Sequence, residues 1–163
     1  MDARKVLSLS AALAALVPLS GCDRSPAPAP SEPGRQKVVL DRAALSQVED
    51  PARVLAYYGA ALGAHDWEAA DAAWGNFPET SPGTLRAHFG KYRALSLHFD
   101  ESRIEGAAGS LVYIAPIVIR DGGRVVETGR IGLRRSNEVP GSTPEDRLWH
   151  VEMSELRPAE GAS

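Results

Sequence analysis

The chain has 163 residues, 18 of them basic and 21 acidic, with a formal charge of −3 at pH 7 and a single cysteine. That length allows one core-bearing domain after a leader is removed. The absence of any Lys/Arg block excludes a binder driven by phosphate neutralisation, and one cysteine excludes an intrachain disulfide.

Arg4 and Lys5 precede a run from Val6 to Leu19 that is apolar apart from Ser8, Ser10 and Pro18. The run is short of the roughly 20 apolar residues that span a bilayer and ends in small residues, so residues 1–21 read as a signal peptide. Leu19-Ser20-Gly21-Cys22 resembles the lipobox of bacterial lipoproteins. The resemblance implies that Cys22 is lipidated, becomes the new N-terminus and anchors the chain to a membrane. The other reading is an ordinary secretory signal whose cysteine is free or bonded to another chain. Asp23 resembles the signal that retains lipoproteins in the inner membrane, so an inner-membrane, periplasm-facing location is favoured over the outer membrane.

Residues 22–36 hold the lipid site and a proline-alternating stretch, Ser25 to Gly34, which favours extended polyproline II and makes a tether. A folded domain is expected over 37–157 and a disordered tail over 158–163. Lys37 to Gln47 mixes apolar and charged residues and is compatible with a leading strand or a first helical turn.

Asp50-Pro51 opens a helix running to about Ala64, with the aspartate as cap and the proline at the first helical position. Asp66 caps a second, in which Trp67, Ala70 and Trp74 share a face; Gly75-Asn76 ends it. Ser81-Pro82 starts a third, with Leu85, Phe89 and Tyr92 repeating at helical spacing.

From Ala94 the period changes to two. Leu95, Leu97 and Phe99 alternate with Ser96, His98 and Asp100, as in a half-buried strand. Ala107-Ala108-Gly109 is a bend. Ser110 to Arg120 is apolar on both faces and reads as a central strand, with Pro116 marking a bulge or a donor turned from its neighbour. Asp121-Gly122-Gly123 is a hairpin turn, and Arg124 to Arg135 returns, Gly129 and Gly132 permitting curvature. After a polar loop, Leu148 to Leu156 places Trp149, Val151 and Met153 toward the core. The order is α+β, three N-terminal helices packed on a curved antiparallel sheet.

Tyr57 to Trp67 (Tyr-Tyr-Gly-Ala-Ala-Leu-Gly-Ala-His-Asp-Trp) resembles the first helix, tight turn and capping aspartate of the nuclear-transport-factor-two-like superfamily, which includes ketosteroid isomerase and SnoaL-like cyclases. Residues 109–113, 129–135 and 137–141 also resemble proteobacterial envelope proteins of this type. The resemblance spans about Asp50 to Leu156. It implies a cone-shaped domain with a pocket at its wide end, and sheet faces that pair into homodimers.

Tyr58 matches the superfamily's oxyanion tyrosine, but Gly75 to Glu79 lacks the aspartate-bearing turn that carries the isomerase base, which disfavours that activity. His65, His88, His98 and His150 are expected at surface positions, although His98 and Glu127 face a pocket if the sheet is concave on their side. No histidine pair has metal-ligand spacing, no glycine-rich phosphate loop opens a helix and no serine sits in a nucleophile elbow. No catalytic, metal or cofactor residue is assigned. Tyr58, Trp74, Phe89 and Tyr113 are the candidate pocket residues, lining the cone around a mostly apolar ligand or else simply filling the core. Arg124, Arg130 and Arg134 share a face if their strand's alternation is unbroken, as a solvated surface, an anion site or a partner surface. The expected partners are thus the membrane through Cys22, a small apolar ligand or an envelope protein, and a second copy of the chain, with no nucleic acid. A non-catalytic periplasmic lipoprotein is the preferred reading; a SnoaL-like enzyme is the alternative.

Overall fold

The computed structural model describes residues 38–75 and 80–161. The signal peptide, Cys22 and the proline tether lie outside the described residues. So does Asn76 at the expected end of the second helix.

Arg42–Ser46 forms a 3-10 turn that buries Ala44 completely, which decides the ambiguous leading segment in favour of a helical turn. Helix α1, Pro51–Gly63, begins where Asp50 accepts the Ala52 N–H on its side chain. Val54, Leu55, Tyr58, Ala61 and Leu62 form its buried stripe, the spacing of an amphipathic helix. Its open side at Gly59 lies on the sheet, where an added Cβ would stand 3.1 Å from Phe99. Helix α2, Trp67–Ala72, is capped by Asp66, and α3, Pro82–Phe89, by Ser81. Gly75 has φ +61, and a Cβ there would meet His150 Nδ1 at 2.5 Å, so both conformation and space demand glycine.

Five antiparallel strands follow: β1 Leu95–Phe99, β2 Ile104–Ala107, β3 Ser110–Asp121, β4 Arg124–Ser136 and β5 His150–Pro158. They pair in the order β1-β3-β4-β5, with β2 also paired to β3. The described unit is therefore α+β, as expected. Strand β2 was not foreseen: it is four residues long and turns into β3 through Ala108-Gly109, with Gly109 at φ +76.

Pro116 does something other than bulge its strand. Its carbonyl accepts the Asp100 N–H, so its absent N–H points the same way, toward the gap between β1 and β2. β1 pairs with residues 117–121 of β3 and β2 with 110–113, leaving the proline between them. The Ser102 hydroxyl bonds the Ile114 carbonyl in that gap. The irregularities fall elsewhere, at Ile119/Arg120 between β3 and β4 and at Gly132/Leu133 between β4 and β5.

β3 is central in the sheet but buried on one face only. Tyr113, Ala115, Ile117 and Ile119 enter the core with Ile131, Leu133, Val151 and Trp149, whereas Ile114 keeps 37% of its surface exposed. Met153 departs from its expected inward place. Glu152 is the extra residue between the pairs Leu133↔Val151 and Gly132↔Met153, and it reverses the alternation. Met153 then covers Gly132 beside Ile114 on the outer face. Trp149 and Val151 are buried, and the Trp149 indole N–H reaches the Val48 carbonyl at 3.0 Å.

Of the tail expected over 158–163, residues 162–163 lie outside the described residues. Ala159 N–H donates to the Val126 carbonyl and Arg124 reaches the Gly161 carbonyl, holding the chain on β4 as far as Gly161.

Candidate functional site

α1 brings Tyr58, the turn after α2 brings Trp74, and α3 brings Phe89 to one wall of a cavity of about 250 Å³. Leu85 and Leu156 add to its apolar lining, and Thr80, Thr84, His88 and Ser154 supply polar groups. Tyr58 and Trp74 meet edge to face, ring centres 6.5 Å apart at 74°, a favourable aromatic geometry. Tyr113, the fourth candidate, does not join this lining. Register places it opposite Leu133 and, through that residue, level with Val151, whereas the cavity is bounded by Ser154 and Leu156 farther along β5.

Burial pushes the Tyr58 phenol up to about 12, against the opposing influence of the Trp74 indole N–H. Tyr58 is therefore a neutral phenol at physiological pH. The approach of Trp74 falls short of a hydrogen bond, and its Nε1 and the Thr80 hydroxyl are both buried without a partner among the described residues. Unpaired donors in a folded interior are uncommon and call for an explanation.

Behind the cavity wall stands a buried carboxylate. Glu127 on β4 shares the core-facing parity of Ile131 and Leu133 and is only 4% exposed. An unpaired charge there would be prohibitively expensive. The Tyr92 hydroxyl donates to Oε1 at 2.6 Å, His88 Nε2 stands 2.9 Å from Oε2, and Lys91 Nζ is 3.6 Å from Oε1. Burial raises the Glu127 carboxyl, but the hydrogen bonds from Tyr92 and His88 and the neighbouring charges outweigh it, and its pKa is lowered overall. In turn, burial and the hydrogen bond to Glu127 raise the Tyr92 phenol.

His88 is the member common to cavity and carboxylate cluster. Its side chain is 45% exposed, so the expectation of a surface histidine holds for its outer part alone. His98 and Glu127 do not face one pocket, the arrangement expected only if the sheet were concave on a side they shared. His98 pairs with Val118 on the outer face and stands 3.4 Å from Asp100, while Glu127 points to the core. The sequence signal for the real grouping was the spacing of His88, Lys91 and Tyr92 at three and four residues, which turns them to one side of a helix end. His65 stacks on Trp67 with ring centres 5.2 Å apart, and His150 Nε2 lies 3.1 Å from the Glu145 carbonyl.

The arginines of β4 are divided by the register shift. Arg130 and Arg134 pair with Glu155 and Glu152 at 2.7 and 3.0 Å on the outer face, whereas Arg124 pairs in register with Asp121 on the opposite parity. Arg135 lies over the Trp149 ring at 5.5 Å. Because Arg130 and Arg134 each have an acidic partner, they offer little unneutralised charge to an anion.

Among the described residues no three His, Cys, Asp or Glu side chains are grouped to hold a metal, and no helix is long and apolar enough to cross a membrane. No family model matches the chain, and no curated protein matches it.

Proposed function

We propose that this chain is a lipoprotein anchored through Cys22, facing the periplasm, whose folded unit is a nuclear-transport-factor-two-like cone that binds a small, mostly apolar ligand. The groove lined by Tyr58, Trp74, Leu85, Phe89 and Leu156 carries this reading: three aromatic rings and two leucines stand beside the polar groups of Thr80, Thr84, His88 and Ser154, a combination found in ligand sites. Two acyl chains hold a protein stably at a bilayer where one does so only marginally, and the proline tether sets the unit a short distance from that surface. An envelope protein or a second copy of the chain is the alternative occupant, through the outer sheet face.

The test is purification of the full chain from detergent-solubilised membranes followed by native mass spectrometry. A bound small molecule of defined mass supports the ligand reading; a mass equal to the lipidated protein alone, with no response to added apolar compounds, overturns it. Cys22→Ser should release the protein from the membrane fraction, and its retention there would overturn the anchor.

A second reading, a SnoaL-like enzyme acting on a small substrate, is favoured by one observation. The cavity wall includes a histidine held by a buried carboxylate, an arrangement suited to proton transfer. Turnover of a compound recovered with the protein, abolished in His88→Ala, would favour it. Recovery of that compound unchanged would favour binding.

A further inference from the structure

Six large apolar side chains stay exposed among the described residues, and three of them, Val38, Val39 and Val48, stand near the point where the chain leaves the tether, with 49%, 91% and 36% of their surfaces open. Their neighbours Leu40, Ala44 and Leu45 pack into or against the core, so the segment already supplies its share of the fold and the valines are left over. Arg53 in the first turn of α1 reaches Asp41 at 2.6 Å. The Gln47 side chain accepts the Asp50 N–H at 2.8 Å and donates to the Asp50 carbonyl at 2.7 Å. These bonds bring both valine-bearing stretches to the N-terminal end of α1.

Charge neither repels this end from a surface nor holds it there. From Lys37 to Arg53 the basic residues Lys37, Arg42 and Arg53 balance the acids Asp41, Glu49 and Asp50. The residues between Cys22 and Lys37, extended as polyproline II at about 3.1 Å each, reach no farther than roughly 47 Å. Such a tether keeps the unit close to the bilayer but by its length alone lets any face meet it. Resting on the anchored-lipoprotein reading above, we propose that this end of the unit is a second membrane contact: Val38, Val39 and Val48 settle into the headgroup layer of the bilayer that holds Cys22, and α1 points away from it. Removing their apolar surface from water drives the contact. Because the anchor already keeps the chain at the surface, this second contact works at a high effective concentration and needs little affinity of its own. Its consequence is a fixed orientation of the unit in place of a free swing on the tether.

The test uses the full lipidated chain, purified from membranes and returned to vesicles of phosphatidylethanolamine and phosphatidylglycerol that carry nitroxide-labelled lipid as a quencher. Lipidation leaves Cys22 without a free thiol, so in two separate proteins, Val39→Cys and Ala64→Cys, the introduced cysteine alone takes a polarity-sensitive fluorophore. Both positions are exposed, and about 20 Å of helix separates the two ends of α1. The fluorophore at position 39 should shift to shorter wavelength and be quenched by the labelled lipid, and the one at position 64 should do neither. Raised salt should change nothing, because this end carries no net charge. Val48→Asp, at a side chain already open to water, should reverse most of the shift and quenching at position 39. Quenching equal at both positions, absent from both, released by salt or indifferent to Val48→Asp would overturn the contact and leave the anchor standing. A chain that carries no acyl groups and stays outside the vesicles would overturn both.

Discussion

Tyr92→Phe removes one oxygen and leaves the ring in place, which makes it a clean probe of the buried Glu127 cluster. The hydroxyl donates to a carboxylate oxygen at 2.6 Å in a residue that is 4% exposed. A hydrogen bond to a charged group contributes about 1.5–3 kcal/mol, and Lys91 at 3.6 Å on a largely exposed side chain replaces little of it. For a unit spanning residues 37–163, each kcal/mol corresponds to roughly 3–5 °C in Tm. The variant should therefore melt about 5–15 °C lower at neutral pH. The pH dependence carries a second signature. Glu127's folded pKa is depressed, so its contribution is fully present above the unfolded carboxylate value and is lost as pH falls through the folded one. Without Tyr92's hydrogen bond the depression shrinks, and the acid loss of stability should become smaller in amplitude and be complete at a higher pH. Urea unfolding followed by tryptophan fluorescence between pH 3 and pH 7, on both proteins, measures both effects. Equal stability at neutral pH together with superimposable acid limbs would show that the hydroxyl does not hold the carboxylate.

Other substitutions test the sheet register and the helix starts. Gly129→Ala places a Cβ 1.8 Å from the Glu155 carbonyl oxygen. Backbone cannot yield there cheaply, so a loss of about 3 kcal/mol or more is expected in urea unfolding; a tolerated alanine would contradict the β4–β5 pairing. Gly132→Ala meets only the flexible Met153 side chain, at 2.7 Å, and should cost no more than about 1.5 kcal/mol. The contrast between the two is itself the measurement. Asp50→Ala removes the acceptor of the Ala52 N–H and should lower stability by about 1 kcal/mol, whereas an unchanged midpoint would deny the cap. Trp149→Phe strands the Val48 carbonyl and leaves a void in the core. A loss of about 2–4 kcal/mol in the same assay is expected.

Local chemistry made the helix starts legible. Asp50, Asp66 and Ser81 each accept a backbone N–H at the start of the helix that follows, because a cap is satisfied within a few residues of itself. The change from helical to alternating spacing after Ala94 likewise marked the passage from helices to sheet. Strand β2 escaped notice because it has only four residues and its one large apolar side chain, Ile104, is 45% exposed. Tyr58, Trp74 and Phe89 were recognisable as inward aromatics from helical phase, but phase assigns a direction and not a neighbour.

The remaining assignments required the tertiary structure. A single extra residue on β5 turns Met153 outward, and another on β4 separates Arg124 from Arg130 and Arg134; alternation along one strand contains no record of where its partner slips. Pro116 is equally readable as a bulge or as a missing donor until the strand opposite it is known to be broken in two. His88 and Glu127 are 39 residues apart. The spacing of His88, Lys91 and Tyr92 and the shared parity of Glu127, Ile131 and Leu133 are present in the sequence, but alone they join no residue of α3 to one of β4. Only the docking of α3 against the sheet made the carboxylate their common partner, because burial without those donors would have been too costly to survive folding.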